Sequence, residues 1–470
     1  MTRRFTQVKK LKTLDQLRSH LAEGGIDLPV ADVVDPAVFA TGTAFRDGAA
    51  GTVQVGNRFA TLPMEGWDGT TDGAPTDLVR RRWQRLGHSG AGLVWGEATA
   101  VVRDGRANPN QLVIDETTVE DLAELRSLLS PDQVAGIQLT HSGRYARPDA
   151  AGPAPRTAYR HPLLDERVGA DADSVLSDGE LDQLVDDFVT AAVLADRAGF
   201  DFVDVKACHG YLGHELLTAY DRPGRYGGDL AGRTTFLRSV IAGIRDAAPT
   251  LAIAVRVSLF DLVPFAPGSE GVGEPEASGP YGYAFGGDGS GLGIDLSEPH
   301  RLLDMLSGLG IGLVSITAGS PYYCPHVQRP AYFPPSDGYA PPEDPLAGVA
   351  RLLAATAEVT ERHPDLTVVG TGYSYLQEWL PNVAQEVLTR GGADLIGLGR
   401  MVLSYADLPA DVLAGRPLTS GLICRTFSDC TTAPRAGLVS GCYPLDPFYK
   451  ERPERVELTR AKRAARSGPT

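Results

Sequence analysis

Cysteine and long apolar segments are both scarce in this sequence, and each scarcity excludes a class of protein. Five cysteines among 470 residues are too few for a secreted domain held together by disulfides, so we expect a reducing, cytoplasmic setting. No segment approaches the roughly 18–20 consecutive apolar residues that a membrane-spanning helix needs. Arg3 and Arg4 are followed by no apolar stretch, so we also expect no signal peptide.

Positive charge is in deficit as well. The 44 lysines and arginines stand against 59 acidic residues, which leaves a net charge of −15. This balance argues against nucleic acid and anionic membranes as partners, because both repel an acidic surface. A small molecule is the expected partner, and the sequence is compatible with a homo-oligomer.

Short β-branched runs alternate with longer helical patterns along most of the chain, which is typical of a parallel sheet covered by helices. The predicted strands are 58–62, 92–95, 136–139, 202–205, 252–257, 312–316, 367–370 and 395–398. The predicted helices are 77–88, 119–129, 179–198, 232–247, 299–309, 346–362 and 376–390. Eight strands with interleaved helices predict an α/β fold, a (β/α)8 TIM barrel. A doubly wound sheet usually carries a glycine-rich fingerprint after its first strand, and this sequence has none.

We predict three regions along the chain. Residues 1–50 form an N-terminal extension, with a helix near 14–21 and a hairpin near 45–55 that closes the bottom of the barrel. Residues 51–415 form the (β/α)8 barrel. Residues 416–470 form a C-terminal extension that contains three of the cysteines.

Two long loops follow predicted barrel strands. Residues 265–293, after the fifth strand, are rich in glycine and proline. Residues 320–344, after the sixth strand, carry Tyr322, Tyr323, His326, Tyr332 and Phe333. Loops at this end of a barrel border the catalytic face, so we interpret both as lid or substrate-pocket loops; tolerated surface insertion is the alternative. The aromatic side chains favour a function for the second loop, because they are costly to leave in water.

The most informative segment follows the fourth predicted strand. It reads Lys-Ala-Cys-His-Gly-Tyr-Leu at 206–212 and continues with Arg-Pro-Gly-Arg-Tyr-Gly-Gly-Asp-Leu at 222–230. Lys206, His209 and Tyr211 therefore lie just past the C-terminal end of a strand, which is where barrel enzymes place their chemistry.

Glycines follow the last two predicted strands at the usual phosphate position of a barrel. Gly372 and Gly399 would let backbone N–H groups approach a phosphate, and Arg400 would add positive charge. Tight turns are the structural alternative for these glycines.

These segments resemble the Old Yellow Enzyme family of flavin-dependent ene-reductases. Residues 57–64, 97–101, 136–144 and 255–258 match further family segments in the correct order. The resemblance implies FMN as cofactor and NAD(P)H as reductant. The positions that it implies for flavin binding are Pro63, Met64, Glu65, Ala98, Gln138, Arg256, Gly372, Gly399 and Arg400.

The resemblance also implies a reaction. Hydride passes between flavin N5 and the β-carbon of an α,β-unsaturated carbonyl compound, or in reverse from the saturated counterpart. Tyr211 is the implied proton donor or acceptor, while His209 and Lys206 would hold the carbonyl oxygen. The aromatic loop residues suggest a bulky or ring-bearing substrate.

Two positions depart from the family. Lys206 replaces a histidine, and Glu65 stands where the family places cysteine or threonine. An ammonium group would stabilise an enolate or phenolate more strongly than a neutral imidazole does, or it would form an ion pair with Glu65. These departures leave the substrate class and the direction of the reaction open.

Two other functions are compatible with the same residues. A lysine at the C-terminal end of a barrel strand is also where a Schiff-base nucleophile sits, so Lys206 is compatible with a flavin-free lyase or aldolase. A flavin-binding protein without turnover is the third hypothesis.

The C-terminal cysteines resemble an iron–sulfur segment. Cys424, Cys430 and Cys442 follow the spacing of the dienoyl-CoA reductase and trimethylamine dehydrogenase branch, which has four cysteines; Phe427 takes the place of the missing one. Three thiolates argue against a cluster at these positions. A relic segment, or a zinc site completed by a distant histidine, is compatible with the same spacing. We therefore predict no metal ligand.

Overall fold

The structure is a computed structural model that describes residues 5–467, with side chains described up to residue 464. Residues 1–4, which bear on the signal-peptide prediction, lie outside the described part. The strands are β1 Thr43–Asp47, β2 Gly51–Val55, β3 Phe59–Thr61, β4 Leu93–Ala100, β5 Val134–Thr140, β6 Phe202–Ala207, β7 Ala252–Ser258, β8 Phe265–Pro267, β9 Gly273–Pro275, β10 Leu313–Thr317, β11 Thr367–Gly370 and β12 Leu395–Leu398.

Helices connect these strands. The α-helices are α1 Leu14–Glu23, α2 Pro36–Ala40, α3 Asp77–Gly87, α4 Val119–Ser127, α5 Asp165–Val168, α6 Asp178–Arg197, α7 Leu212–Leu216, α8 Leu230–Arg233, α9 Thr235–Ala247, α10 Ser297–Gly308, α11 Pro325–Gln328, α12 Pro345–Arg362, α13 Leu380–Thr389, α14 Arg400–Ser404, α15 Leu408–Leu413, α16 Asp429–Arg435, α17 Pro447–Lys450 and α18 Glu454–Ser467. Short 3₁₀-helices cover Val8–Lys10, Arg103–Gly105, Gly143–Tyr145 and Tyr373–Trp379.

Eight parallel strands close into a barrel in the order β10-β11-β12-β3-β4-β5-β6-β7. Every residue of β4, β5, β6 and β7 is buried. Burial on both faces explains their near-continuous apolar sequence, since one face fills the barrel and the other packs on helices. The predicted (β/α)8 barrel is confirmed.

The last predicted helix differs from the structure. The pattern at 376–390 predicts one helix, but the chain forms a 3₁₀-helix over Tyr373–Trp379 and a separate helix α13. Gln377 has a left-handed backbone with φ of 53°, and Pro381 lies in the first turn of α13. Proline is favoured there because its missing N–H would be unbonded in any case.

The predicted hairpin closes the bottom of the barrel. β1 and β2 pair antiparallel. Phe45 of β1 and Val55 of β2 pack with Trp95, Phe202 and Leu313, which lie towards the N-terminal ends of the barrel strands. The N-terminal extension therefore seals the end opposite to the one where barrel chemistry takes place.

The two long loops bond to each other at the C-terminal end of the barrel. The backbone N–H of Gly273 donates to the carbonyl of Ala340 at 2.9 Å, and that of Phe265 donates to the carbonyl of Tyr323 at 2.8 Å. We call residues 265–293 and 320–344 together the loop wall. Because its two halves are joined by backbone hydrogen bonds, the loop wall is one continuous surface over the barrel mouth.

The C-terminal extension reaches the same end. The Asp446 carboxylate accepts hydrogen bonds from Arg81 and Arg85 of α3, each at 2.9 Å. The backbone N–H of Trp67 donates to the Ser440 hydroxyl at 3.0 Å. Over residues 5–467, no helix combines the length and the apolar composition that crossing a membrane requires.

Candidate active site

A cavity of about 910 Å³ opens at the C-terminal end of the barrel. The barrel strands, the loop wall and the C-terminal extension all contribute to its lining. Every residue predicted for the site lines this cavity, namely Pro63, Met64, Glu65, Ala98, Gln138, Lys206, His209, Tyr211, Arg256, Gly372, Gly399 and Arg400.

A buried carboxylate orients two of these residues. Asp204 is paired with Gln138 in the strand register, and its Oδ2 accepts from Gln138 Nε2 at 2.5 Å and from Trp95 Nε1 at 2.8 Å. Its Oδ1 accepts from the backbone N–H of Arg256 at 2.8 Å. The Gln138 amide is therefore held by its nitrogen. In the sequence, the signal for Asp204 is a single acid inside an apolar strand.

Burial raises the pKa of Asp204 to about 6. The folded state then binds this proton more tightly than the unfolded chain does, so its contribution to stability is full below about pH 4 and is lost as pH rises through 6. The loss amounts to about 3 kcal/mol. We expect the free energy of unfolding of Asp204→Asn to lack this decrease. Urea unfolding of both proteins from pH 4 to pH 7 measures the difference, and parallel pH curves would contradict the assignment.

Arg256 has an unused hydrogen-bond donor. Its side chain is buried, Nη1 donates to the Pro63 carbonyl at 3.4 Å, and Nε is buried without a partner. Burial lowers the pKa of this guanidinium. A buried cation with a free donor is stabilised by an electron-rich group in the cavity.

The ends of β11 and β12 form a cradle for an anion. Gly372 adopts φ of 99°, which favours glycine. A Cβ added to Gly399 would meet only Leu62 Cδ1, at 4.0 Å, so the space beside it is open to the cavity. Thr371 Oγ1 and Arg400 Nη1 lie next to these glycines and are buried without a partner. Unpaired donors around an open cradle fit the phosphate of FMN.

The turn after β6 holds His209 in a strained backbone. Its φ is 66°, in the left-handed region. The strain is supported on both sides, because its N–H donates to Ser258 Oγ at 3.0 Å and its carbonyl accepts from Ser320 Oγ at 2.7 Å. Burial lowers the pKa of His209, so the ring is neutral. Its Nε2 lies 3.3 Å from Gln328 Nε2.

Tyr211 is part of a hydrogen-bonded group of aromatic and acidic residues. Its hydroxyl donates to Glu65 Oε2 and lies 3.0 Å from the Tyr322 hydroxyl. The other oxygen of Glu65 accepts from Asn108 Nδ2 at 3.1 Å. Tyr322 stacks on Tyr145 with ring centroids 3.8 Å apart. Burial, and then the charge of Glu65, raises the pKa of Tyr211, so the phenol is protonated.

Lys206 contacts Tyr211 rather than Glu65. Its side chain is buried, and Nζ lies 3.6 Å from the centroid of the Tyr211 ring. Within residues 5–467 we find no carboxylate in ion-pair contact with it, so the alternative of a Lys206–Glu65 ion pair is wrong for this structure. Burial lowers the pKa of Lys206, and the nearby Glu65 opposes that shift.

The three C-terminal cysteines lie beside the cavity. Cys430 and Cys442 line it, and Cys424 is buried. Burial raises the pKa of Cys442 to about 12, and the neighbouring thiols of Cys424 and Cys430 add to that shift. Phe427 stacks on Phe333 of the loop wall, with ring centroids 5.4 Å apart. In the described part of the chain, no three His, Cys, Asp or Glu side chains are arranged to hold a metal ion.

Residues 49–272 match the model of the NADH:flavin oxidoreductase / NADH oxidase family. The resemblance to the Old Yellow Enzyme family is confirmed. The match supports the predicted cofactors FMN and NAD(P)H, and it spans Lys206, His209 and Tyr211.

Relatives agree with this match. A metal reductase of Desulforamulus reducens is 25% identical over 379 residues, which are 79% of this chain and 49% of that protein. An NADPH dehydrogenase of Clostridium acetobutylicum is 24% identical over 352 residues, which are 74% of this chain and 87% of that protein. The solved structure of a 2-naphthoyl-CoA reductase complex superposes with a TM-score of 0.66 at 16% identity, and covers 88% of this chain and 58% of that one. The chain thus spans about half the length of the metal reductase, and the likeness to the solved structure supports the fold.

Proposed function

We propose that this protein is an FMN-dependent oxidoreductase that moves hydride between the flavin and the β-carbon of an α,β-unsaturated carbonyl compound, or dehydrogenates the saturated counterpart. One observation carries the proposal. Arg256 Nε, Thr371 Oγ1 and Arg400 Nη1 are buried donors without partners, and all three side chains line a single cavity. Unsatisfied buried donors are costly, and one ligand with a phosphate and an electron-rich ring would satisfy all three.

Different residues along the cavity would hold different parts of FMN. Thr371, Gly372, Gly399 and Arg400 would bind the phosphate, while Gln138 would bind the pyrimidine edge. Arg256 would stabilise the negative charge of the reduced ring, and Pro63, Met64 and Ala98 would contact the ring. When bound, FMN supplies hydride chemistry at N5.

The substrate side is formed by the turn after β6. The neutral imidazole of His209 and the ammonium of Lys206 would hold the carbonyl oxygen. Both would stabilise the enolate charge that develops there, and a buried cation does so strongly because few water molecules screen it. Tyr211 would exchange a proton with the α-carbon.

The contact between Tyr211 and Glu65 bears on whether the enzyme reduces the alkene or oxidises the saturated compound. Because the Tyr211 hydroxyl donates to Glu65, the phenol oxygen is free to accept a proton from the substrate while its own proton passes to the carboxylate. In the reductive direction, Glu65 opposes loss of the Tyr211 proton by charge repulsion. This arrangement favours oxidation of the saturated compound over reduction of the alkene.

The flavin-free lyase is not favoured. The flavin-family match spans Lys206, whereas a Schiff base at Lys206 would give no role to the unpartnered buried donors of Arg256 and Arg400.

The first experiment is to record the visible spectrum of the purified protein, release the chromophore by heat, and add NADPH anaerobically to a second sample. We expect flavin bands, free FMN in the supernatant, and bleaching by NADPH. A colourless protein that takes up no added FMN would overturn the proposal. Flavin bands that neither NADPH nor a substrate alters would leave a flavin-binding protein without turnover.

A further inference from the structure

Positive charge is concentrated on the cavity, although the chain carries a net charge of −15. Arginines and one lysine outnumber the acidic residues of its lining, which are Glu65, Glu276 and Asp337. Most of these arginines have carboxylate partners; Arg81 and Arg85, for example, bind Asp446. Arg329 is an exception that the proposed flavin contacts do not explain.

Arg329 lies in the loop wall and has spare hydrogen-bonding capacity. Its Nη1 donates to Thr431 Oγ1 of α16, while Nη2 is buried without a partner. Burial, and then the positive charges of Arg435 and Arg400, lower the pKa of Arg329 to about 9. Guanidinium groups whose charges act on one another in this way repel unless an anion lies among them.

The neighbouring cations are held in place by other contacts. Arg435 Nη1 binds Asp337 at 2.7 Å, and its Nη2 donates to the Pro321 carbonyl at 3.2 Å. Arg400 Nη2 donates to the Pro330 carbonyl at 3.0 Å. The carboxylate of Asp337 therefore binds Arg435, while Arg329 and Arg400 each keep one buried donor without a partner.

The position of Arg329 connects it to the substrate side of the cavity. The residue before it is Gln328, whose Nε2 lies 3.3 Å from His209 Nε2. The charge of Arg329 is one of the causes that lower the pKa of His209, after burial and nearer cations. Pro321, which binds Arg435, directly precedes Tyr322. Both arginines are thus attached to the loop that carries Gln328 and Tyr322. Arg400 of the phosphate cradle borders the same loop through its contact with Pro330.

We infer that Arg329, Thr431 and Arg435 form a second anion-binding subsite, which takes a carboxylate or phosphate group of the substrate. The inference rests on the proposed function and names the substrate class: an unsaturated carbonyl compound, or its saturated counterpart, with an anionic group distant from the reacting carbon atoms. The subsite would orient the substrate from its far end, with the carbonyl oxygen at Lys206 and His209.

The test uses the FMN-loaded protein and a matched pair of probes, 4-phenylbut-3-en-2-one and its para-carboxylated derivative. Calorimetry measures binding of each probe without turnover. We expect the carboxylated ketone to bind at least 10-fold more tightly. Arg329→Gln should weaken its binding by about 10- to 100-fold, the usual effect of losing a charged hydrogen bond, and should change binding of the neutral ketone less than 2-fold.

Two variants control for charge and folding. Arg147→Gln removes another arginine of the same cavity and should not change the preference for the carboxylated ketone. Arg329→Lys keeps the charge without the planar guanidinium group, and should retain part of the preference for the carboxylated ketone. Equal binding of the two ketones to the unchanged protein, or equal losses for both in Arg329→Gln, would overturn the subsite.

A second measurement separates the substrate anion from the flavin phosphate. FMN and riboflavin are titrated into the flavin-depleted protein and into its Arg329→Gln variant. We expect both flavins to bind the two proteins equally. A loss confined to FMN would assign Arg329 to the flavin phosphate and overturn the inference. If the unchanged protein binds neither flavin, the proposed function fails, and the same ketone comparison on the flavin-free protein then decides the subsite.

Discussion

Replacing Tyr211 with phenylalanine is expected to slow the half-reaction with substrate by about 10²–10⁴-fold, the usual contribution of a positioned general acid or base. The flavin should still be reduced by NADPH at an unchanged rate, because hydride transfer from NADPH to the flavin does not use the proton that the Tyr211 hydroxyl shares with Glu65 and Tyr322. Anaerobic stopped-flow measurements of the two half-reactions separate these effects.

Tyr145→Phe is the matched control for this prediction. Tyr145 lines the same cavity and stacks on Tyr322, but its hydroxyl is buried without a partner, so its removal should leave both half-reactions intact. Glu65→Gln tests the direction of the reaction. Loss of the proton acceptor should slow oxidation of a saturated ketone more than reduction of the alkene. Equal rates for Tyr211→Phe and the unchanged protein would exclude Tyr211 from proton transfer.

Replacing Arg256 with methionine is expected to weaken binding of reduced FMN by about 10- to 100-fold relative to oxidised FMN, because a buried charged hydrogen bond contributes about 1.5–3 kcal/mol. The free Nε of Arg256 would interact more strongly with the anionic reduced ring than with the neutral oxidised one. The midpoint potential of the bound flavin should therefore fall. Reductive titration against a reference dye measures it.

Arg256→Lys provides the comparison, because it keeps a cation at the same buried position. Its flavin midpoint potential should lie between those of Arg256→Met and the unchanged protein. If the midpoint potential of Arg256→Met equals that of the unchanged protein, Arg256 does not stabilise the reduced flavin. If oxidised and reduced FMN lose affinity equally, Arg256 holds the ring without tuning its charge.

The barrel was predictable because each of its elements has a local signal. The predicted bounds of the strands at 367–370 and 395–398 agree with the structure to the residue. Strands buried on both faces have continuous apolar sequences, and short apolar runs between helical patterns indicate such strands. The break at Gln377 was not predictable. Its left-handed φ arises from how the chain packs after β11, and glutamine has no intrinsic preference for that conformation.

The site was predictable only in part. Lys206, His209 and Tyr211 lie within six residues of one another, so a single segment revealed them. Tyr322 lies 111 residues from Tyr211, and Glu65 lies 146 residues from it. Asn108, which binds Glu65, was not recognised at all. No local pattern connects residues that belong to different barrel units.

The sequence by itself therefore determined the fold, the end of the barrel that carries the chemistry, and the residue types available there, because periodicity and strand-end position are local properties. Only the tertiary structure decided the partners of these residues. It directs the Tyr211 proton to Glu65, places Lys206 over a tyrosine ring instead of a carboxylate, and leaves Arg329 with an unused donor. The physical reason is that hydrogen bonds and charge interactions depend on distances between segments far apart in the chain, and the closed barrel sets those distances.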